Sequence, residues 1–220
     1  MVSSERPVRT RKRPEERREE IVREAARIAL EAGLERITLR AVAERLGVRP
    51  GLITHYFPAA DELVVAAFAR AVSDEREDLV PVDGRPLERL AHMMAYTESE
   101  QARAVARLWL NARHLSRFDS ALEAALEEQE ALDRARLIAL IEEGVSSGDL
   151  PDVDPLTACI RIFVAVDGRW AYANNVGAFP HEAFAHYVTD VAEWALGLPA
   201  GALRGAPALT IASRSDDRGA

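Results

Sequence analysis

The sequence holds a single cysteine, Cys159, in 220 residues. An intrachain disulfide is impossible, and a zinc site built on several cysteines is excluded. Such sparing thiol use is expected of a reducing compartment. No apolar run approaches the roughly 18 residues that a membrane span requires. The first twenty residues are charged and lack the apolar stretch of a secretory signal. The expectation is a soluble, cytoplasmic chain with no membrane partner. Lysine is almost missing: Lys12 is the sole lysine among 28 Lys and Arg. No G-x-S-x-G, P-loop or dinucleotide fingerprint occurs. His181 and His186 look briefly like the zinc motif H-E-x-x-H, but they lie five residues apart instead of four, off one helical face. No catalytic residue, cofactor or metal ligand is assigned, so an enzyme is not expected.

What is present is a foldable chain, 48% hydrophobic and 29% charged, long enough for one large domain or two small ones. Its net charge of -8 is unevenly spread. Residues 1–60 carry 13 Lys/Arg against 9 Glu, a net of +4; residues 61–220 carry 15 basic against 27 acidic residues, a net of -12. A basic segment beside an acidic body suggests a module that meets a polyanion.

Residues 1–16 read as a flexible basic arm, with Pro7 and Pro14 against a helix. The arm either reaches along a minor groove or is a solubilising tail. From Glu15, the spacing of Ile21, Ala25, Ile28, Ala29 and Ala32 describes a helix with one apolar face, ending at Gly33. Thr38 is placed to cap a short helix, Leu39–Leu46, with Gly47 breaking it. Pro50 suits the first turn of the next, which runs to about Tyr56. Further helices are read at Asp61 to Asp78, Leu87 to Glu98 and Gln101 to Leu115. Another runs from a Ser120/Glu123 capping box to Gly144. One more starts at Asp154-Pro155 and reaches about Val176, and a last one covers His181 to Leu196. From Pro199 the composition reads as a disordered tail. With no convincing strand, the fold class is all-α.

A supporting helix followed by two short helices across a glycine turn is the helix-turn-helix layout. The wording is more specific than the layout. The run from Ile37 through Val48, its continuation from Arg49 through Pro58, and Asp61-Glu62-Leu63 resemble the DNA-binding domain of the TetR family over residues 17–68. The resemblance implies a three-helix DNA-binding domain, set at residues 17–62, and a helical ligand-binding and dimerisation domain at 63–198, followed by the tail 199–220. It implies a ligand-responsive regulator, most simply a repressor that binds a palindromic operator on double-stranded DNA as a homodimer and is released by a small-molecule effector. By position, the DNA contacts fall on Thr38, Arg40, Arg49, Pro50, Gly51, Leu52, Thr54, His55 and Tyr56. Thr54 and Ala60 depart from the family's usual Tyr and Lys, two residues that help hold phosphates.

In the body, Met93, Tyr96, Trp109, His114, Phe118, Phe163, Asp167 and Trp170 combine aromatic and sulfur surface with a few polar groups, as small-molecule pockets do. Any one of them is equally at home in an ordinary core. A cationic ligand over Trp109 or Trp170 is one option. Phe163, Trp170, Phe184, Tyr187, Val188, Val191 and Ala195 form the candidate dimer interface, the resemblance implying a four-helix bundle. Gly168, unusual inside a helix, is expected to serve close helix packing, with Asp167 paired to Arg161 or Arg169 or turned to a ligand. A helical adaptor without DNA binding, or an enzyme, is the alternative; either leaves the basic module and its wording unexplained.

Overall fold

The computed structural model describes residues 13–175, 179–207 and 209. The expected arm at 1–12, the helix end at Val176 and most of the tail lie outside them. Among the described residues there are ten α-helices, two single 3-10 turns and no strand.

α1 (Pro14–Ala32) starts three residues inside the expected arm. Pro14 does not bar this helix: it sits at the first helical position, where its missing N–H costs nothing and its fixed φ helps. Arg13 N–H donates to the Glu16 carboxylate at 3.0 Å, completing the start. Gly33, at φ 99°, turns the chain out at the other end.

α2 (Leu39–Arg45) and α3 (Pro50–Tyr56) follow as expected, and α4 (Ala60–Leu79) is a long helix behind them. Ile21, Ala25, Ile28, Val42, Ile53, Phe57, Leu63 and Phe68, all nearly inaccessible, make the core of this end. α1 packs chiefly along α4, while α2 packs on α3 and α1.

The body comprises α5 (Pro86–Glu98), α6 (Arg103–Leu115), α7 (Ser120–Ser147) and α8 (Pro155–Trp170), with α9 (Glu182–Ala185) and α10 (Tyr187–Ala195). α7 is capped by Asp119, not by Ser120: its carboxylate accepts from Ala121 N–H at 2.9 Å and Leu122 N–H at 3.1 Å. An ionised oxygen outdoes a hydroxyl at a positive helix end. Gly144 lets the chain fold back on α7, since a Cβ there would stand 2.6 Å from Leu150.

Two expected helices differ. α8 ends at Trp170 and passes into turns at 171–174. The helix read from His181 to Leu196 is two pieces, broken at His186 (φ -110°, ψ 15°). Nor do residues 199–206 begin a disordered tail. The Gly201 and Leu203 N–H groups donate to the Glu193 carboxylate at 2.7 and 2.9 Å, and the Leu203 side chain is buried.

Candidate nucleic-acid interface and effector cavity

The two short helices are held by local chemistry. Thr38 Oγ1 accepts from Ala41 N–H at 3.0 Å and fixes the start of α2. Val48 N–H donates to Ala43 O at 2.9 Å across the turn, where Gly47 takes φ 63°. Arg45 reaches back to α1, bonding Glu31 at 2.7 Å and approaching Glu24 at 3.5 Å. This hydrogen bond to Arg45 lowers the Glu31 pKa. Arg45 therefore braces the module and is spent there.

Thr38, Arg40, Arg49, Pro50, Gly51, Thr54 and His55 are all exposed, while Leu52 and Tyr56 are half-buried. Tyr56 packs on the core and takes an edge-on contact from His55, at 5.2 Å between ring centres. Besides Thr38, which caps α2, two of the exposed groups are already occupied. Arg40 Nε donates to Glu44 at 2.7 Å one turn along, an exposed pair of little worth that a better acceptor displaces. The Thr54 hydroxyl donates to Pro50 O at 3.3 Å, so its proton is committed within the helix. Gly51 is not demanded by the chain's own packing, because a Cβ there would meet nothing within 4 Å.

α4 runs away from this face for ~30 Å at 1.5 Å per residue. Its far half forms one wall of a cavity of about 110 Å3. Val72, Glu75, Arg76 and Leu79 line it from α4; Met93 and Thr97 from α5; Trp109 and Arg113 from α6. α7 adds Glu130, Asp133 and Arg134, and α8 adds Phe163, Val166, Asp167 and Trp170.

Five expected pocket residues meet here: Met93, Trp109, Phe163, Asp167 and Trp170. Three do not. His114 and Phe118 are exposed and pack on each other at 5.9 Å. Tyr96 lies on the other side of α4's Glu75, in a cleft against α1. His114 stands exposed in the last turn of α6, and Phe118 on the 3-10 turn Ser116–Phe118 that follows it.

The cavity wall is more charged than expected, and its charges are mostly paired. Asp133 binds Arg76, which also donates to Gln129 Oε1 at 2.9 Å. Arg113 bridges Glu130 at 3.2 Å and Asp167 at 3.0 Å, so Asp167 pairs with neither Arg161 nor Arg169. Burial raises the Asp133 and Asp167 pKa values against the pull of these arginines. Glu75, only 9% exposed, is different. Neither of its oxygens completes a hydrogen bond. The Tyr96 hydroxyl lies close enough to favour its ionised form, but burial and Asp133 outweigh that and hold the pKa well above the ordinary carboxylate range. The signal for Glu75 was in the sequence: it falls on the buried stripe of α4 with Ala71, Val72 and Leu79.

The module and body are also joined by a polar clamp. Leu34 N–H donates to Asn111 Oδ1 at 2.8 Å, and Asn111 Nδ2 donates to Glu35 at 2.9 Å.

The candidate dimer residues divide. Val188 and Ala195 are buried in the chain's own core, and Trp170 is buried with its Nε1–H on Thr97 O. Phe163 turns to the cavity. Phe184 stacks edge-on with Tyr172 and Phe179. Tyr187 is exposed and Val191 half-buried. The apolar side chains that do face outward are Leu156, Ile160 and Val164 on α8 and Tyr187 and Trp194 on α10, with Val164 66% and Trp194 64% exposed. Gly168 continues the α8 row, and a Cβ there would meet nothing within 4 Å. It does not serve packing within the chain.

Residues 21–67 match the family described as bacterial regulatory proteins, tetR family. The HTH-type transcriptional regulator BetI of Brucella anthropi is 27% identical over 179 residues, covering 68% of this chain and 92% of that protein. The HTH-type transcriptional repressor KstR of Mycobacterium tuberculosis is 38% identical over 82 residues, 36% of this chain and 37% of that protein. A putative transcriptional regulator from Saccharomonospora viridis, solved in complex with choline, superposes with a TM-score of 0.66 at 18% identity, covering 81% of this chain and 96% of its own. FadR of Bacillus subtilis, solved in complex with stearoyl-CoA, gives 0.61 at 19% identity, covering 81% and 97%. These two likenesses show the fold. The matched family and the curated relatives are transcriptional regulators, not enzymes. Residues 21–67 thus carry the DNA-binding module of the tetR family of bacterial regulatory proteins, within a helical fold shared with solved transcriptional regulators.

Proposed function

We propose that the chain is a homodimeric repressor that holds a palindromic operator and releases it when a small molecule enters the α4–α8 cavity. The observation that carries this is α4 itself: one helix begins at the foot of the helix-turn-helix and ends as a wall of the cavity. The DNA-binding unit is residues 17–62 together with the start of α1, and residues 63–198 are the effector and dimer unit. α3 enters the major groove, with Arg40 and Arg49 on bases or phosphates and Thr38, Pro50, Gly51, Leu52, Thr54, His55 and Tyr56 around them. Thr54 contributes through its oxygen unless its proton leaves Pro50. A bidentate arginine–guanine contact is worth about 1–3 kcal/mol of discrimination.

The row Leu156, Ile160, Val164 and Gly168, beside Tyr187 and Trp194, supports a dimer face built from α8 and α10. Leu156, Ile160 and Val164 stand exposed, Trp194 is 64% exposed although the Arg161 guanidinium lies 4.3 Å from its ring centre, and the glycine leaves room for a second helix. Two modules on one dimer read half-sites about 34–36 Å apart, or a multiple of that.

An effector that binds better when α4 is displaced changes the spacing of the two recognition helices and weakens DNA binding by its differential affinity. The test is selection of random duplex DNA by the purified protein at two salt concentrations. A palindromic consensus is the expected result. Binding that depends on salt but yields no consensus would leave only phosphate contacts, and the reading fails.

A further inference from the structure

Every lining carboxylate of the cavity except Glu75 has an arginine: Asp133 has Arg76, and Glu130 and Asp167 share Arg113. Glu75 is buried and lines the cavity, with no described basic partner and only the Tyr96 hydroxyl beside it as a donor. An uncompensated buried charge of this kind is strongly disfavoured, so the free protein keeps it only as an acid or supplies no counter-charge because something else does. The neighbouring surface is aromatic: Trp109, Phe163 and Trp170. The Trp109 ring already accepts a cation, with the Arg113 guanidinium 5.6 Å from its centre. The volume, about 110 Å3, is of the order that takes a benzene-sized guest.

We infer that the effector is a compact organic ammonium ion, with Glu75 as its counter-charge and the aromatic walls around its alkyl groups. This rests on the cavity being the effector site. An ammonium matches both features at once, because a ring face attracts a cation most strongly where water is excluded. A neutral ligand uses the aromatic wall but leaves Glu75 uncompensated; an anion meets it directly.

Proton linkage follows. Glu75 is faced by Asp133, Asp78 and Tyr96, with Arg76 committed to Asp133 and Arg113 to Glu130 and Asp167. Burial and the two aspartates favour its protonated form. A cation must displace that proton, so binding releases it and tightens as pH rises.

The test is titration calorimetry of the full chain with choline and with its uncharged isostere, 3,3-dimethylbutan-1-ol. Tetramethylammonium serves as a smaller probe. The expected result is ammonium binding at least about tenfold tighter than the isostere, a ratio worth about 1.4 kcal/mol. Glu75→Gln, which keeps the shape and removes the charge, lowers ammonium affinity by at least tenfold, leaves the isostere unchanged and abolishes the pH dependence. Equal binding of choline and its isostere, no ammonium binding by the wild type, or undiminished binding by Glu75→Gln overturns the inference. If that variant fails to fold, the isostere pair and the pH dependence of the wild type still decide. Operator binding is followed on the same samples. A protein that holds its operator but ignores ammonium ions refutes the ligand class alone. One that binds ammonium through Glu75 without altering its hold on DNA refutes the release mechanism and supports the ligand class.

Discussion

The two ends of the molecule put their polar chemistry in opposite places. In the helix-turn-helix, the core is plainly apolar and the side chains proposed to meet DNA stand in water: Arg40, Arg49 and His55 are exposed, while Ile53 and Phe57 are buried. In the body, four carboxylates line a partly enclosed cavity. A surface that reads DNA needs no desolvation until its partner arrives. The proposed effector cavity balances most of its charges internally and leaves one carboxylate without an arginine. On the proposed roles, the module is stabilised almost independently of its function, whereas the body's stability and selectivity draw on the same side chains.

The strongest way to break this comparison is at the proposed dimer face. Ile160→Asp with Val164→Asp is expected to give a monomer in sedimentation and to weaken operator binding by ~100-fold or more, the usual scale of lost avidity. A dimer that survives moves the interface elsewhere. Next, Arg40→Ala with Arg49→Ala should reduce operator affinity by about 30-fold or more at unchanged melting temperature and unchanged effector binding, since each base contact is worth about 1–3 kcal/mol. A large fall in melting temperature would show that these arginines serve the fold.

The clamp at Asn111 tests whether the ends are separable. Asn111→Ala leaves Leu34 N–H and Glu35 without their partner and is expected to cost about 1–2 kcal/mol, read by denaturant unfolding, and to reduce the effector's influence on DNA binding. In the body, Glu75→Gln should raise the melting temperature near neutral pH by about 2–4 °C. The sign follows from the raised pKa of Glu75. Folding takes up a proton there, so this residue's contribution is complete below the ordinary carboxylate pKa of 4.5 and is lost as pH rises toward the folded value. The gain of the variant should therefore shrink in acid. A gain that does not change with pH would assign it to packing. The smallest expected effects come from a matched pair. Gly51→Ala and Gly168→Ala each meet open space and should stabilise their helices by about 0.8–1 kcal/mol. The first should still weaken DNA binding and the second dimerisation. Improvement without loss at either site would remove the reason offered for that glycine.

The module was legible because its signals are local. Thr38, Gly47 and Pro50 act within a few residues of their own position, and the structure returns α2 and α3 close to the expected bounds. The body's helices were legible from periodicity, but which face looks where depends on partners far along the chain. Val188 and Ala195 belong to an apolar stripe, yet that stripe is the chain's own core. The outward row on α8 is equally apolar, and periodicity alone does not distinguish them. His114 and Phe118 misled because aromatic residues suggest a pocket wherever they stand. Glu75 was passed over because an acid among many acids draws no notice until its helix phase is compared with its neighbours. Asp119 was missed as a cap by one residue, since Ser120 also offers a side-chain oxygen.

The two amide hydrogen bonds that Glu193 accepts from Gly201 and Leu203 bear on where this chain can be cut. A truncation after Leu198, attractive on composition alone, would strand a carboxylate that is only 3% exposed and uncover the seat of Leu203. A shortened protein for crystallisation, or a fusion at the C-terminus, should therefore keep every residue through at least Ala206.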